Sequence, residues 1–322
     1  MPEPPIDLVV SIGHLGDFAT LAKCLDSIAA HRISIRHEIW IVYNGPGGDG
    51  VVEQIRARFP SVRIFDERGP LGYCGTHNLA LRAALDEGRA RYVLLLDDDT
   101  LVAAGNFDRM VSFMDQHPRV GMAGCKTLNP DGTFQQSFAL MNSWKLELRT
   151  VLFPNAQWPA HLYRDLSSVR SVDWLNGSYM LVRCETLRRV GLLDEHYYTY
   201  NCEADWAYRI QQAGDSVVFV PDTEIVHVGR THSIQTMEKS YSSLVRHFVN
   251  RYYFFHKHRS RLECLLLRPV MVLAMLTRMV RFALVYLRKP ELRSIARTRL
   301  RAMARVVRLS FSPRPYEMPS DL

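Results

Sequence analysis

From Ile6 to about Asn129, short apolar runs alternate with amphipathic stretches. Leu8–Ile12, Glu38–Tyr43, Arg63–Phe65 and Tyr92–Leu96 predict strands. Between them, Phe18–Ala30, Gly50–Phe59 and Gly75–Glu87 carry apolar residues at helical spacing, Leu21, Leu25 and Ile28 forming one such stripe. Strands separated by helices of this length predict right-handed βαβ units and a mostly parallel sheet. Leu94, Leu95 and Leu96 are apolar without alternation, as in a central strand covered on both faces.

The pattern breaks between Asn129 and Val172, where Trp144, Phe153, Pro154, Trp158 and Pro159 interrupt any period. Loops and short helices are expected there, the kind of excursion that carries acceptor-binding elements. Regular structure resumes with a strand over Ser178–Val182, a helix over Glu203–Ala213 and strands over Ser216–Val220 and Glu224–Val226. After Thr236 the pattern changes again. Leu262–Leu287 is rich in Leu, Val and Met but interrupted by Arg268, Arg278 and Arg281. Each arginine at the centre of a span costs about 2.5–3.5 kcal/mol, so this stretch is not expected to cross a membrane. Glu291–Phe311 predicts an amphipathic helix. Leu292, Ile295, Leu300, Met303 and Val307 lie on one side, and Arg293, Arg297, Arg301 and Arg305 recur every four residues on another. Such a helix is expected to lie in a membrane interface; the alternative is a solvated helix packed on the body or in a dimer interface. The expected division is 1–240 as a catalytic domain and 241–322 as a helical region that associates with membranes or oligomerises.

Composition narrows the class. The 322 residues are 47% hydrophobic and 23% charged, enough for a buried core in one large domain with an appendage, or in two domains. The net charge of +7 is unevenly distributed. Arg246 to Arg308 holds 16 basic residues against Glu263 and Glu291, a balance of +14, and leaves −7 for the remainder. An acidic body with a basic tail points to a polyanion, either a membrane surface or a nucleic acid. The six cysteines form no CxxC pair and read as reduced thiols of a cytosolic protein. The start, Met-Pro-Glu-Pro-Pro, lacks a basic region followed by a long apolar one, so no secretory leader is expected.

The strongest chemical signal is Asp97-Asp98-Asp99-Thr100, directly after a strand. Carboxylates crowded at the carboxyl end of a parallel strand repel one another unless a cation joins them, and ligands of open α/β sheets bind at that edge. In extended backbone Asp97 and Asp99 point one way and Asp98 the other. A second element, Leu71-Gly72-Tyr73-Cys74-Gly75-Thr76-His77-Asn78, runs into a helix whose N-terminal amides suit a diphosphate. A third comprises Asp173-Trp174-Leu175-Asn176-Gly177-Ser178, Asp194-Glu195-His196-Tyr197-Tyr198 and Cys202-Glu203-Ala204-Asp205-Trp206. Glu203 and Asp205 read either as acids favoured at a helix start or as a general base beside a metal site. His227, in His227-Val228-Gly229-Arg230-Thr231-His232-Ser233, is either structural or a metal ligand beside the acids. Trp174 and Tyr198 are core aromatics or stacking platforms for sugar rings.

Taken in order, LGYCGTHNLAL, LLLDDDT, DWLNGSYMLVR, GLLDEHYYTYNCEADWAYRIQQAG and HVGRTHS resemble family 2 glycosyltransferases of the GT-A fold, especially the bacterial rhamnosyltransferase-like branch, over residues 6 to 235. The resemblance implies an α/β class, a Rossmann-like, mostly parallel sheet, with a basic helical extension. It implies transfer of a sugar from a nucleotide-diphosphate donor with inversion, in cell-envelope polysaccharide synthesis. It implies Mg²⁺ or Mn²⁺ on Asp97, Asp99 and His227, with Asp99 first among the direct ligands. It further implies Ser11, Asn44, Gly72, Asn78 and Asp98 as donor-binding residues, and Trp174, Asn176, Gly177 and Tyr198 around the sugar and acceptor. Glu203 falls on the family's base position, with Asp205 as rival. The favoured donor is dTDP-rhamnose, with UDP-galactofuranose or another UDP-sugar behind it. The expected acceptor is a glycan or lipid-linked hydroxyl at the cytoplasmic face of the inner membrane, where the protein is expected to sit peripherally, as a homo-oligomer if its C-terminal helices pair. Nucleic acid is not expected as a partner. The sequence departs from the family at Tyr43, at Cys202 before Glu203, and at Pro70. A non-catalytic relative, a nucleic-acid-binding protein and a nucleotidyltransferase are the competing readings.

Overall fold

The structure, a computed structural model, describes residues 5–45, 50–67, 69, 71–152, 163, 165–229 and 241–319. The expectations placed on Pro70, Phe153, Pro154, Trp158, Pro159 and Arg230–Ser233 lie outside the described residues. The chain divides into two compact units. One comprises Met1–Met141, Asp165–Tyr198 and Cys202–Gly229; the other comprises Asn142–Arg164, Thr199–Asn201 and Arg230–Leu322. The second unit thus takes in three stretches from inside the 1–240 region, 142–164, 199–201 and 230–240.

The first unit is an α/β layer structure. Its strands are β1 (Ile6–His14), β2 (His37–Tyr43), β3 (Arg63–Asp66), β4 (Ala90–Asp97), β5 (Thr100–Val102), β6 (Val120–Leu128), β7 (Phe134–Gln135), β8 (Phe138–Ala139), β9 (Arg170–Ser171), β10 (Trp174–Leu175), β11 (Tyr179–Arg183) and β12 (Ser216–His227). Its helices are α1 (Phe18–Ala29), α2 (Val51–Arg58), α3 (Gly72–Glu87), α4 (Asn106–Gln116), α6 (Cys184–Val190) and α7 (Cys202–Gln212); α5 (Trp144–Leu152) belongs to the second unit. The main sheet runs β3-β2-β1-β4-β11-β6-β12-β5. β3, β2, β1 and β4 are parallel, β11 is antiparallel to both its neighbours, and β6 and β12 are again parallel.

The helical stripes read from the sequence are the buried ones. Leu21, Cys24, Leu25 and Ile28 of α1 join β1, β2 and β4 in one apolar cluster. Asp17 caps α1 by accepting from the Ala19 amide at 3.1 Å and the Thr20 hydroxyl at 2.7 Å. Leu94, Leu95 and Leu96 are fully buried, as a strand covered on both faces requires.

The strand β6 was not foreseen, and neither was α4. The β6 sequence, VGMAGCKTL, is poor in bulky apolar residues because other elements lean against its backbone. A Cβ on Gly124 would stand 2.8 Å from Leu175 Cδ2, and one on Gly121 would stand 2.8 Å from Asp215 Cβ. Glycine there admits close packing while weakening the strand signal. The expected loop region, Asn129 to Val172, includes β7, β8, α5 and β9.

The second unit contains α5 and three long helices, α8 (Tyr241–His258), α9 (Arg261–Arg288) and α10 (Arg293–Ser310). α9 opens on a capping box in which Ser260 and Glu263 bond each other's backbone. By length and composition α9 could cross a membrane, with a mean hydropathy of 1.8 in its most apolar window. The helix expected over Glu291–Phe311 forms as α10, but its apolar side is not free. Ile295, Met303 and Val306 are buried, and α10 packs on α8 and α9, so the expectation that this side faces a membrane is corrected. The six cysteines are free thiols.

Candidate active site

The carboxyl ends of β1, β2 and β4 meet at one edge of the first unit. Parallel pairing sets Gly13 beside Asp97 and His14 beside Tyr43, so the acids stand next to the end of the first strand. Asp97 and Asp99 turn to one side and Asp98 to the other. On the first side β12 delivers His227: it pairs with Thr100, and the Val228 amide bonds the Asp99 carbonyl at 2.8 Å. His227 Nε2 thereby lies 3.1 Å from Asp99 Oδ1 and 3.7 Å from Asp97 Oδ2.

The ligand atoms of Asp97, Asp99 and His227 all lie within 4.8 Å of one another. Desolvation raises the Asp97 carboxyl above its ordinary range; the charges of Asp99, Asp98 and Glu203 push the same way, and His227 opposes them. Desolvation disfavours the charged form of His227, but the hydrogen bond with Asp99 and the nearby carboxylates outweigh it and raise its pKa. Both shifts mark a cluster that favours added positive charge. Hard carboxylate oxygens with one imidazole nitrogen suit Mg²⁺ or Mn²⁺, so the residues fit the ion the sequence implied. His227 Nδ1 is 2.7 Å from Gln135 Oε1 on β7, a bond that fixes the ring and leaves Nε2 toward the acids. Sequence reading missed Gln135, and no local signal marks it.

On the other side, His14 Nδ1 donates to Asp98 Oδ2 at 2.6 Å. His14 is buried, and its Nε2 has no hydrogen-bond partner among the described residues. At the end of the neighbouring strand, Asn44 donates to Thr76 Oγ1 at 3.3 Å while its buried Oδ1 meets no partner among the described residues. His14 was not singled out in the sequence, although its place at the end of β1 could have found it. Tyr43, where the sequence departs from the family, is fully buried in the apolar cluster.

Glu203 is the second residue of α7 and half-buried. A Cβ on Gly177 would stand 3.0 Å from both Glu203 Oε1 and the Tyr73 hydroxyl, and Tyr73 donates to the Gly177 carbonyl at 2.8 Å. Burial raises the Tyr73 pKa, and the charges of Asp97 and Glu203 add to the effect. Tyr73 thus lies within electrostatic reach of both the acid cluster and Glu203. It stood unassigned inside a motif the sequence had marked.

Several residues expected at the site have other duties. Asp205 is fully buried, bonded by Arg209 Nε at 2.8 Å and by the Tyr197 hydroxyl at 3.3 Å. Arg209 in turn holds the Val190 and Leu192 carbonyls, so Asp205 serves as an internal tie. The Asn78 amide is spent on both backbone groups of Leu193, and Ser11 Oγ lies 2.9 Å from His77 Nδ1 inside the sheet. Neither is open to a donor. α3 begins at Gly72, three residues before the expected start, with φ +62°; Tyr198 packs on Gly72 and its carbonyl takes the Cys74 amide at 3.1 Å. Gly72 therefore admits Tyr198, which itself has φ 58°. Asn176 shapes its own turn, accepting from the Ser178 amide at 3.2 Å and donating to the Gln136 carbonyl. Trp174 bonds the Leu140 carbonyl through its indole and is half-buried.

Residues 4–251 match the profile of the glycosyltransferase like family 2, and the chain belongs to that family. It is 30% identical over 227 residues to an N-acetylglucosaminyl-diphospho-decaprenol L-rhamnosyltransferase of Mycobacterium tuberculosis, covering 66% of this chain and 72% of the relative. Among solved structures, a mannosyltransferase from Pyrobaculum calidifontis in complex with GDP-Man and Mn²⁺ matches with a TM-score of 0.53 at 16% identity, over 97% of this chain and 89% of that one. GalNAc-T7 with UDP, GalNAc and Mn²⁺ matches with a TM-score of 0.54 at 15% identity, over 70% of this chain and 43% of that one. The fold is the GT-A glycosyltransferase fold, and family membership makes the chain a transferase of sugars.

Proposed function

We propose that this protein moves a sugar, rhamnose first among candidates, from a nucleotide-diphosphate donor to a hydroxyl of a lipid-linked glycan, inverting the anomeric carbon. The observation that carries the reading is the convergence of Asp97, Asp99 and His227 on one side of a sheet edge, with Glu203 within electrostatic reach of Asp97. The choice of rhamnose and of a diphospho-lipid acceptor rests on the likeness to the mycobacterial enzyme.

Asp97, Asp99 and His227 would hold Mg²⁺ or Mn²⁺, which supplies charge stabilisation to a diphosphate leaving group. Asp98 and His14, with Asn44 beside them, bind the nucleoside part. The unsatisfied His14 Nε2 and Asn44 Oδ1 are the atoms that gain partners when a donor arrives. Glu203 accepts the proton of the acceptor hydroxyl as its oxygen bonds the anomeric carbon and the carbon–phosphate oxygen bond breaks. Tyr73 stays protonated and steadies the Gly177 turn against which Glu203 rests. The half-buried Trp174 is a platform for an apolar sugar face. The basic C-terminal unit keeps the protein at the cytoplasmic face of the inner membrane, where anionic lipid attracts it.

The test is a thermal-shift panel of nucleotide sugars with and without Mn²⁺, followed by transfer assays. Stabilisation of a few kcal/mol by one donor, dTDP-rhamnose in the first instance, is expected at saturation. Transfer that is lost in Asp99→Ala and in Glu203→Gln completes the case. Full transfer by both variants would refute the site assignment.

A further inference from the structure

α9 lies wholly within the second unit, and its two sides differ. Leu267, Met271, Ala274 and Met275 are buried, and α9 packs on α5, α8 and α10. The opposite side is apolar and exposed. Leu262, Leu265, Leu273, Leu276, Val280 and Leu284 recur at steps of three, four or eight residues, which keeps them on one face. Leu262 is 64% exposed, Val280 62% and Leu287 69%. The stripe from Leu262 to Leu287 extends about 37 Å at the helical rise of 1.5 Å per residue. An apolar strip of that length on a water-soluble surface marks a contact.

The surrounding charge identifies what it contacts. On α9, α10 and the turn between them, the exposed cations are Arg261, Arg281, Arg288, Lys289 and four arginines of α10, against Glu291 as the exposed anion. A second copy laid along the stripe would bring arginines against arginines, whereas an anionic lipid surface would neutralise them while taking up the leucines. Crossing the bilayer would strip the buried side of α9 from its neighbours and carry Arg268, Arg278 and Arg281 into hydrocarbon. Arg278 already lies 5.6 Å over the Phe248 ring and Arg268 donates to the Pro313 carbonyl at 3.2 Å.

We infer that the exposed face of α9 is the membrane-docking surface of this protein, lying in the plane of an anionic bilayer with α10 supplying charge. This deepens the proposed membrane location, on which it rests, and moves the apolar contact from α10 to α9.

The test is sedimentation of the full chain with vesicles of phosphatidylcholine, with and without phosphatidylglycerol. Retention on the anionic vesicles is expected, weakened but not abolished by salt. Leu276→Ser with Val280→Ser should weaken it roughly tenfold or more, since two inserted side chains are lost. Arg297→Gln with Arg301→Gln should erase much of the anionic preference. Both pairs are exposed, so an unchanged melting curve is expected; should one fail to fold, quenching of Val280→Trp fluorescence by brominated lipid reads the same contact. Retention unaffected by the serine pair would overturn the inference, and so would absence of retention. A wild-type dimer that becomes monomeric in the serine pair would assign the face to a second copy, and retention through alkaline carbonate would make α9 a spanning helix. Donor-induced thermal stabilisation measured without vesicles tests the transferase reading separately, so either can fail alone.

Discussion

His14 Nδ1 and Asp98 Oδ2 stand 2.6 Å apart, joining the end of the first strand to the middle acid of the triplet. Asp98 thereby faces away from Asp97 and Asp99, and the triplet divides between two sides of the strand end. His14→Phe preserves the ring volume beside Tyr43, 5.9 Å away between centroids, and removes both nitrogens. Affinity for UDP or dTDP with Mn²⁺ should fall roughly tenfold or more, the worth of one charge-assisted hydrogen bond. Calorimetric titration reads it, and equal affinities in wild type and variant would remove His14 from the donor site.

The bond between His227 and Gln135 makes a different claim. An outer partner of this kind fixes which nitrogen faces the metal, and its loss costs about ten- to a hundredfold in metal affinity. Gln135→Leu should therefore weaken Mn²⁺ binding by that factor while every direct ligand remains. Mn²⁺ titration followed by electron paramagnetic resonance is the measurement. Unchanged Mn²⁺ affinity would show that His227 needs no such orientation.

The two acids of α7 are separable by experiment. Glu203 is half-buried beside Tyr73 and Gly177, whereas Asp205 is sealed against Arg209. Glu203→Gln should leave the melting temperature unchanged and lower the transfer rate by roughly a hundred- to ten-thousandfold, the usual worth of a general base. Asp205→Asn leaves Arg209 partly buried without its counter-charge and should cost about 3 kcal/mol of stability. Urea unfolding of both variants beside their transfer rates decides the matter; a reversed pattern would exchange the roles.

Much of this arrangement was legible in the chain, for physical reasons. The parallel strands, the helices between them and the acids at the end of β4 all follow from local periodicity and from one rule about strand ends. β6 escaped because Gly121 and Gly124 replace bulk with close approach, which depends on residues far along the chain. Ser11 and Asn78 sat in suggestive motifs, but their hydrogen-bond partners, His77 and Leu193, are set by tertiary contact. Gln135 became visible only when β7 was set beside His227, whereas His14, at the end of β1, was open to the same strand-end rule. The α10 apolar face was read correctly as a face, but its occupant, the packed interior of its own unit, lay beyond local pattern.

His77 gives the protein a stability that depends on pH. It lies on α3, buried against β1 where it meets Ser11, and its ring centroid is 4.6 Å from that of Tyr73. Desolvation lowers its pKa from 6.5 to about 3, so the folded protein keeps it neutral where the unfolded chain takes up a proton. Above the unfolded value the two states bind equally and His77 contributes no slope. As pH falls from about 6.5 toward 3, the unfolded state gains one proton more than the folded one. Stability then declines by up to about 1.4 kcal/mol per pH unit from this group alone. His77→Gln keeps a polar partner for Ser11 and removes the titration. Urea unfolding of wild type and variant at pH 7.5, 6 and 5 should give curves that diverge below pH 6.5, the wild type losing stability faster. Parallel curves through that range would mean that His77 is protonated within the fold.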